Sequence, residues 1–246
     1  MTGYSLVLAA VIVLIAAFVR SVSGFGFALI ATPLLLFVFD PKSVVVINVI
    51  LNIFTAVPLL VHTRKHVDIK RLLLLCSGSI FGIPIGAYLL VNLDPSVIKL
   101  SMAILLIPFS VLMLLGHSHR FQKDTLGSCI TGFVSGILVG STSLGGPPVV
   151  LFLLNQGLVK ERFVGTITAY FLFINIASVS AFSTLGMVTT DLLGKIAILL
   201  PTALLGLYLG IKVLPKTNPI VFRRIAASIV SISALAIIVT SLLELT

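Results

Sequence analysis

Two short stretches hold the residue types most able to bind a ligand. Arg20-Ser21-Val22-Ser23-Gly24-Phe25-Gly26-Phe27 joins the first two apolar runs, and Ser141-Thr142-Ser143-Leu144-Gly145-Gly146-Pro147-Pro148 joins an equivalent later pair. Both are small, hydroxylated and glycine-rich, and each precedes a new helix start. A helix N-terminus offers unpaired N–H groups and a partial positive charge of about half a unit. Glycine lets backbone approach a guest, Ser and Thr hydroxyls add donors, and Pro147 suits a first helical turn. Two such ends meeting inside a membrane would form an anion site. The plainer alternative is that Gly and Ser only allow close helix packing.

The candidate binding residues are therefore Ser21, Ser23, Gly24, Phe25 and Gly26 from one stretch, and Ser141, Thr142, Ser143, Gly145 and Gly146 from the other. Arg20 is embedded between the first two runs. It is either an intramembrane cation with a function or an arginine snorkelling to the surface. Asn48 and Asn52 are four apart and share a helical face. Thr166 and Tyr170 stand at equivalent positions later, with Asn175 beyond. These polar groups either line a path or tie helices together.

Other chemistries lack their residues. All seven carboxylates fall in loops or at the ends of apolar runs, which argues against a carboxylate proton relay or a caged cation. His117-x-His119, like His62 and His66, has no further ligands nearby, and Cys76 and Cys129 form no CxxC pair, so no metal site and no cofactor are expected. No nucleophile, base and orienting group cluster together, so no catalytic residues are assigned and an enzyme is not expected.

The elements that must position these residues are membrane helices. Hydrophobic residues make up 59% of the 246 and charged residues 9%, against about 25% charged in soluble domains. That composition needs a lipid bilayer as partner. The net charge of +9 sits in short loops between apolar runs, the pattern of topology control and not of nucleic-acid binding. Ten apolar segments are expected: Tyr4–Val19, Phe25–Phe39, Ser43–Val61, Leu72–Val91, Ser96–Leu115, Thr125–Gly140, Pro147–Gly157, Phe163–Ser183, Leu192–Leu214 and Ile220–Leu243. The first, second, sixth and seventh have roughly 11 to 16 residues. At 1.5 Å per residue the longest of these reaches about 24 Å, short of a core about 30 Å thick. They read as re-entrant hairpins or thin, broken spans.

The chain also repeats itself. Ser23-Gly24-Phe25-Gly26 is matched by Ser143-Leu144-Gly145-Gly146, and Lys42 by Lys160. Gly82, Gly86, Pro95 and Lys99 are matched at one spacing by Gly206, Gly210, Pro219 and Arg223. The expected fold is an all-α integral membrane protein of two five-element repeats, residues 1–118 and 119–246. Sorting the cations by loop puts thirteen on one side and three on the other. The first side is then cytoplasmic, both termini face outward, and an inner (plasma) membrane location follows. Five elements per repeat is an odd number, so the second repeat is inverted. Gly82-x-x-x-Gly86 serves either a homodimer face or an internal contact.

The run Ser23–Leu35, followed by Asp40-Pro41-Lys42, resembles the first-half signature of the sulfite exporter TauE/SafE family. Gly132–Leu154 with Gly145-Gly146-Pro147-Pro148 is similar to its second-half signature, and the later glycine pairs fit as well. The resemblance implies a membrane transporter that moves a small sulfur-containing anion outward, such as sulfite or the organosulfonate sulfoacetate. On residue chemistry alone, a carrier of another small anion or a metal ion, or an anion channel, stays open.

Overall fold

The computed structural model describes residues 3–115 and 124–213. The tenth expected segment, the central loop with His117 and His119, and the boundary between the proposed repeats lie outside these residues. The described chain is all helical: α1 (Gly3–Ser23), α2 (Phe27–Leu35), α3 (Pro41–Thr63), α4 (Ile69–Asn92), α5 (Pro95–Leu115), α6 (Asp124–Thr142), α7 (Gly146–Asn155), α8 (Lys160–Thr184) and α9 (Thr190–Val213), with one 3-10 turn at Arg64–His66.

Local chemistry sets the starts. Asp40 caps α3, its Oδ1 accepting the Ser43 N–H at 3.0 Å, and Pro41 occupies the first turn, where its missing N–H costs nothing. Asp68 caps α4 by accepting the Arg71 N–H at 3.2 Å and also pairs with the Arg71 guanidinium at 2.8 Å. Glu161 and Asp191 lie in the first turns of α8 and α9, where a carboxylate complements the helix dipole. These carboxylates are spent on helix starts, as the sequence pattern indicated.

Among the described residues, six helices are long and apolar enough to cross a bilayer: α1, α3, α4, α6, α8 and α9. The apolar side chains they leave uncovered recur at helical spacing. Val7, Val11 and Ile15 do so on α1, and Ile69, Leu73 and Ile80 on α4. Such stripes belong against lipid. α1 and α6, expected to be short, run to 21 and 19 residues, about 31 and 28 Å. They continue through polar residues because those residues satisfy themselves. Ser21 Oγ donates to the Phe18 carbonyl, Ser141 Oγ to Ile137 and Thr142 Oγ1 to Leu138, which removes the cost of a bare hydroxyl in hydrocarbon. The following helices are short, as expected, with 9 residues in α2 and 10 in α7.

Glycine sets the tightest packing. Gly78, Gly82 and Gly86 of α4 face Cys129, Phe133 and Ile137 of α6, while Gly132, Gly136 and Gly140 of α6 face Leu75, Ser79 and Ile83 of α4. A Cβ on Gly82 would stand 2.9 Å from the Ile137 nitrogen, and one on Gly136 2.7 Å from the Ser79 carbonyl oxygen. With no hydrophobic force between helices in lipid, this backbone contact is what holds the pair. Gly82-x-x-x-Gly86 thus serves an internal contact. Gly206 and Gly210 of α9 pack likewise on Leu14 and Phe18 of α1. α3 and α8 run through the middle and pack on each other, with α4 also against α8 and α9 against α3. They are the most enclosed spans, with 67% and 61% of their apolar windows buried.

Candidate functional site

The two glycine-rich connections open in the same way and diverge two residues on, where Gly26 is left-handed at φ +99° and Gly145 right-handed at φ −74°. α1 ends where the Gly24 N–H reaches the Arg20 carbonyl at 2.8 Å, with Gly24 at φ +77°. α6 ends where the Ser143 N–H reaches the Val139 carbonyl at 3.0 Å, with Ser143 at φ +61°. Left-handed residues of this kind close helix C-termini, and glycine is their usual occupant. Two residues later stand Gly26 and Gly145, and α2 and α7 begin at Phe27 and Gly146. Geometry therefore pairs Gly24 with Ser143 and Arg20 with Val139. Matching by residue identity had paired Ser23 with Ser143, one position away.

Each turn lies against a helix from the other half of the chain. A Cβ on Gly24 would meet Val164 at 3.1 Å on α8, and Phe25 stacks edge-on to Phe163 at 6.2 Å. Ser143 reaches the opposite partners. Its Oγ lies 3.2 Å from Thr32 Oγ1 of α2, and Asn48 Nδ2 of α3 donates to Thr32 Oγ1 at 2.8 Å and to Ser143 Oγ at 3.4 Å. Ser135 Oγ donates to the Gly145 carbonyl at 2.7 Å. A Cβ on Gly145 would stand 2.5 Å from the Ser135 carbonyl oxygen, so the second turn lies flat on α6.

Between the turns is a cavity bounded by both halves. Arg20, Phe25, Gly26 and Asn52 come from one, and Val139, Ser143, Gly146, Phe171 and Asn175 from the other. Counted as space open to the centre of a water molecule, its volume is about 20 Å³. That is room for about one water and too little for a sulfonate. Arg20 is 1% exposed, and its Nε and Nη2 have no hydrogen-bond partner. Among the described residues it is the only ionisable side chain lining the cavity. A buried cation without a counter-charge is costly, and its open N–H donors suit an oxyanion. Two more polar edges face the cavity, Asn52 and Asn175; the latter anchors its Nδ2 on the Phe171 carbonyl at 2.5 Å.

Other expected site residues do not line this cavity. Ser21 packs against Gly210 of α9, with its hydroxyl bonded back within α1. Ser141 and Thr142 are likewise bonded within α6, and Thr142 Oγ1 also accepts the Leu144 N–H at 3.3 Å, which shapes the turn. Ser23 occupies the last turn of α1. Thr166 Oγ1 accepts the Asp68 N–H at 2.9 Å and so ties α8 to the loop before α4. Tyr170 is fully buried near Ser79 and Ser135 but in hydrogen-bond geometry with neither, and it does not line the cavity. Sequence reasoning missed Thr32, Val139 and Phe171. Thr32 was visible as a lone polar residue in an apolar run, whereas nothing in the sequence distinguishes Val139 or Phe171 from core residues.

Among the described residues, no three His, Cys, Asp or Glu side chains come together as a metal site. The profile of the family described as Sulfite exporter TauE/SafE matches residues 8–237. No curated protein and no solved structure gives a match.

Proposed function

We propose that this chain, which belongs to the sulfite exporter TauE/SafE family, is a secondary carrier that exports a small sulfur-containing anion, sulfite or an organosulfonate such as sulfoacetate, by alternating access. The observation that carries this reading is Arg20, which is enclosed in the protein, keeps Nε and Nη2 without partners and lines a cavity that both glycine-rich turns border. The binding residues are Arg20, Asn52, Ser143 and the backbone of Gly24–Gly26 and Gly145–Gly146, with Asn175 and Phe171 added. Asn48 and Thr32 hold Ser143 in place.

Residues 1–118 and 119–246 act as two inverted repeats. Support comes from the packing: α1 on α9 has its counterpart in α6 on α4, α1 on α2 in α6 on α7, and α3 on α9 in α8 on α4. Exchanging the halves returns these contacts among the described residues. The cavity is smaller than a sulfonate, which fits a closed state that opens as the halves rock. The cation bias of the loops supports an inner-membrane carrier with both termini outside. One negative charge leaving a negative interior gains about 2.3 kcal/mol per 100 mV, which suffices as the driving force.

The test is transport in proteoliposomes under an imposed potential. The expected result is saturable sulfite or sulfoacetate flux, with counterflow and no added ion gradient. Strict dependence on a Na⁺ or H⁺ gradient would refute potential-driven export, and non-saturating current would replace the carrier with a channel.

A further inference from the structure

The two turns open on the same left-handed residue, Gly24 in one and Ser143 in the other, and differ in charge. Arg20 and Val139 hold corresponding places, each giving its carbonyl to the left-handed residue four positions on, and both residues line the cavity. One place thus carries a full positive charge and its counterpart carries a branched alkyl group. The wall beside Val139 is apolar as well, formed by Leu144, Pro147 and Phe171. Asn52, Ser143 and Asn175 add polar edges without charge.

We infer that this cavity is a charge filter: a guest with one negative charge, a sulfonate or hydrogen sulfite, is accepted, most readily when it also has an apolar end, and a dianion is rejected. The inference rests on the anion-carrier reading above and narrows it to hydrogen sulfite and singly charged sulfonates: sulfoacetate, whose carboxylate adds a second charge at neutral pH, falls among the rejected dianions. Enclosed charges interact strongly because little water screens them. One oxyanion charge neutralises Arg20. A second would be buried against alkyl and aromatic carbon with no counter-ion, and burial of an unpaired charge is heavily disfavoured. An uncharged guest of the same shape fails for the opposite reason, leaving Arg20 uncompensated. The apolar end lies against Val139 and Phe171, where burial of a methyl group is favourable.

Three probes of nearly one shape separate these terms: dimethyl sulfone is uncharged, methanesulfonate carries one negative charge, and sulfate carries two. Competition against labelled sulfite on the purified full-length protein should rank methanesulfonate first, with sulfate and dimethyl sulfone each weaker by at least about 100-fold. Perchlorate, tetrahedral like sulfate but singly charged, should bind better than sulfate. Val139→Arg places a second cation at the corresponding position and should move the optimum to sulfate. Should that variant fail to fold, the wild-type ranking decides alone. Sulfate binding as well as methanesulfonate would overturn the filter and leave the anion carrier standing. Dimethyl sulfone competing as well as methanesulfonate, with no anion preferred, would overturn the anion reading itself and the filter with it.

Discussion

Ser143 occupies a backbone position that Gly24 occupies in the matching turn, and its side chain is also placed at the cavity, so two substitutions pull these roles apart. At φ +61° a residue with a Cβ is strained, by about 1–2 kcal/mol. Ser143→Ala keeps that strain and removes the hydroxyl. Thr32 Oγ1 and Asn48 Nδ2 still have each other at 2.8 Å, so neither is left bare. The loss is then close to the average for an interhelical hydrogen bond in a membrane, about 0.6 kcal/mol. Ser143→Gly removes the same hydroxyl but relieves the strain, returning about 1 kcal/mol against greater freedom of the unfolded chain. The glycine variant should therefore be at least as stable as wild type, and the alanine variant the least stable of the three. Thermal unfolding in one detergent, read by circular dichroism, gives the order. Both variants should bind sulfite several-fold more weakly, because each lacks the hydroxyl of a residue that lines the cavity. An alanine variant more stable than the glycine variant would refute the left-handed turn. Unchanged affinity in both would remove Ser143 from the site.

Three further outcomes follow from the packing and the hydrogen bonds. Gly82→Ala drives a Cβ into the α6 backbone at Phe133 and Ile137; it should cost about 2 kcal/mol or more, seen as a large drop in melting temperature or loss of folded protein. Thr166→Val strips the acceptor from the Asp68 N–H and should lower stability by about 1 kcal/mol while leaving sulfite affinity as it was; a large affinity loss would return Thr166 to the binding path. Tyr170→Phe removes a buried hydroxyl that has no hydrogen bond, so stability should hold or rise, and titration of the purified variant should give wild-type affinity.

Much of this arrangement was legible in the residues, and what was not has physical causes. The starts of α3 and α4 follow from Asp40-Pro41 and Asp68, because capping chemistry is local. The two turns could be located because Gly, Ser and Pro leave few other conformations. The lengths of α1 and α6 could not be read. Ser21, Ser141 and Thr142 look like helix breakers by type, yet in an apolar setting they bond back to their own helix and extend it. The pairing of the turns slipped by one because matching used residue identity, whereas the fold matches φ and places Ser143 where the other turn has glycine. Thr166 was read as a path residue from its place opposite Asn48. Its actual partner, the Asp68 N–H, lies 98 residues away and leaves no mark in local spacing. Gly82-x-x-x-Gly86 suits any close helix contact, so only the packed structure could assign it to α6.

Arg20 is where charge, burial and both turns converge, and one variant tests it most directly. Sulfite binding by purified Arg20→Ala should weaken at least about tenfold, which corresponds to about 1.4 kcal/mol. Its melting temperature should stay level or rise, because a buried unpaired charge has been removed. A variant that binds sulfite as wild type does would contradict the account.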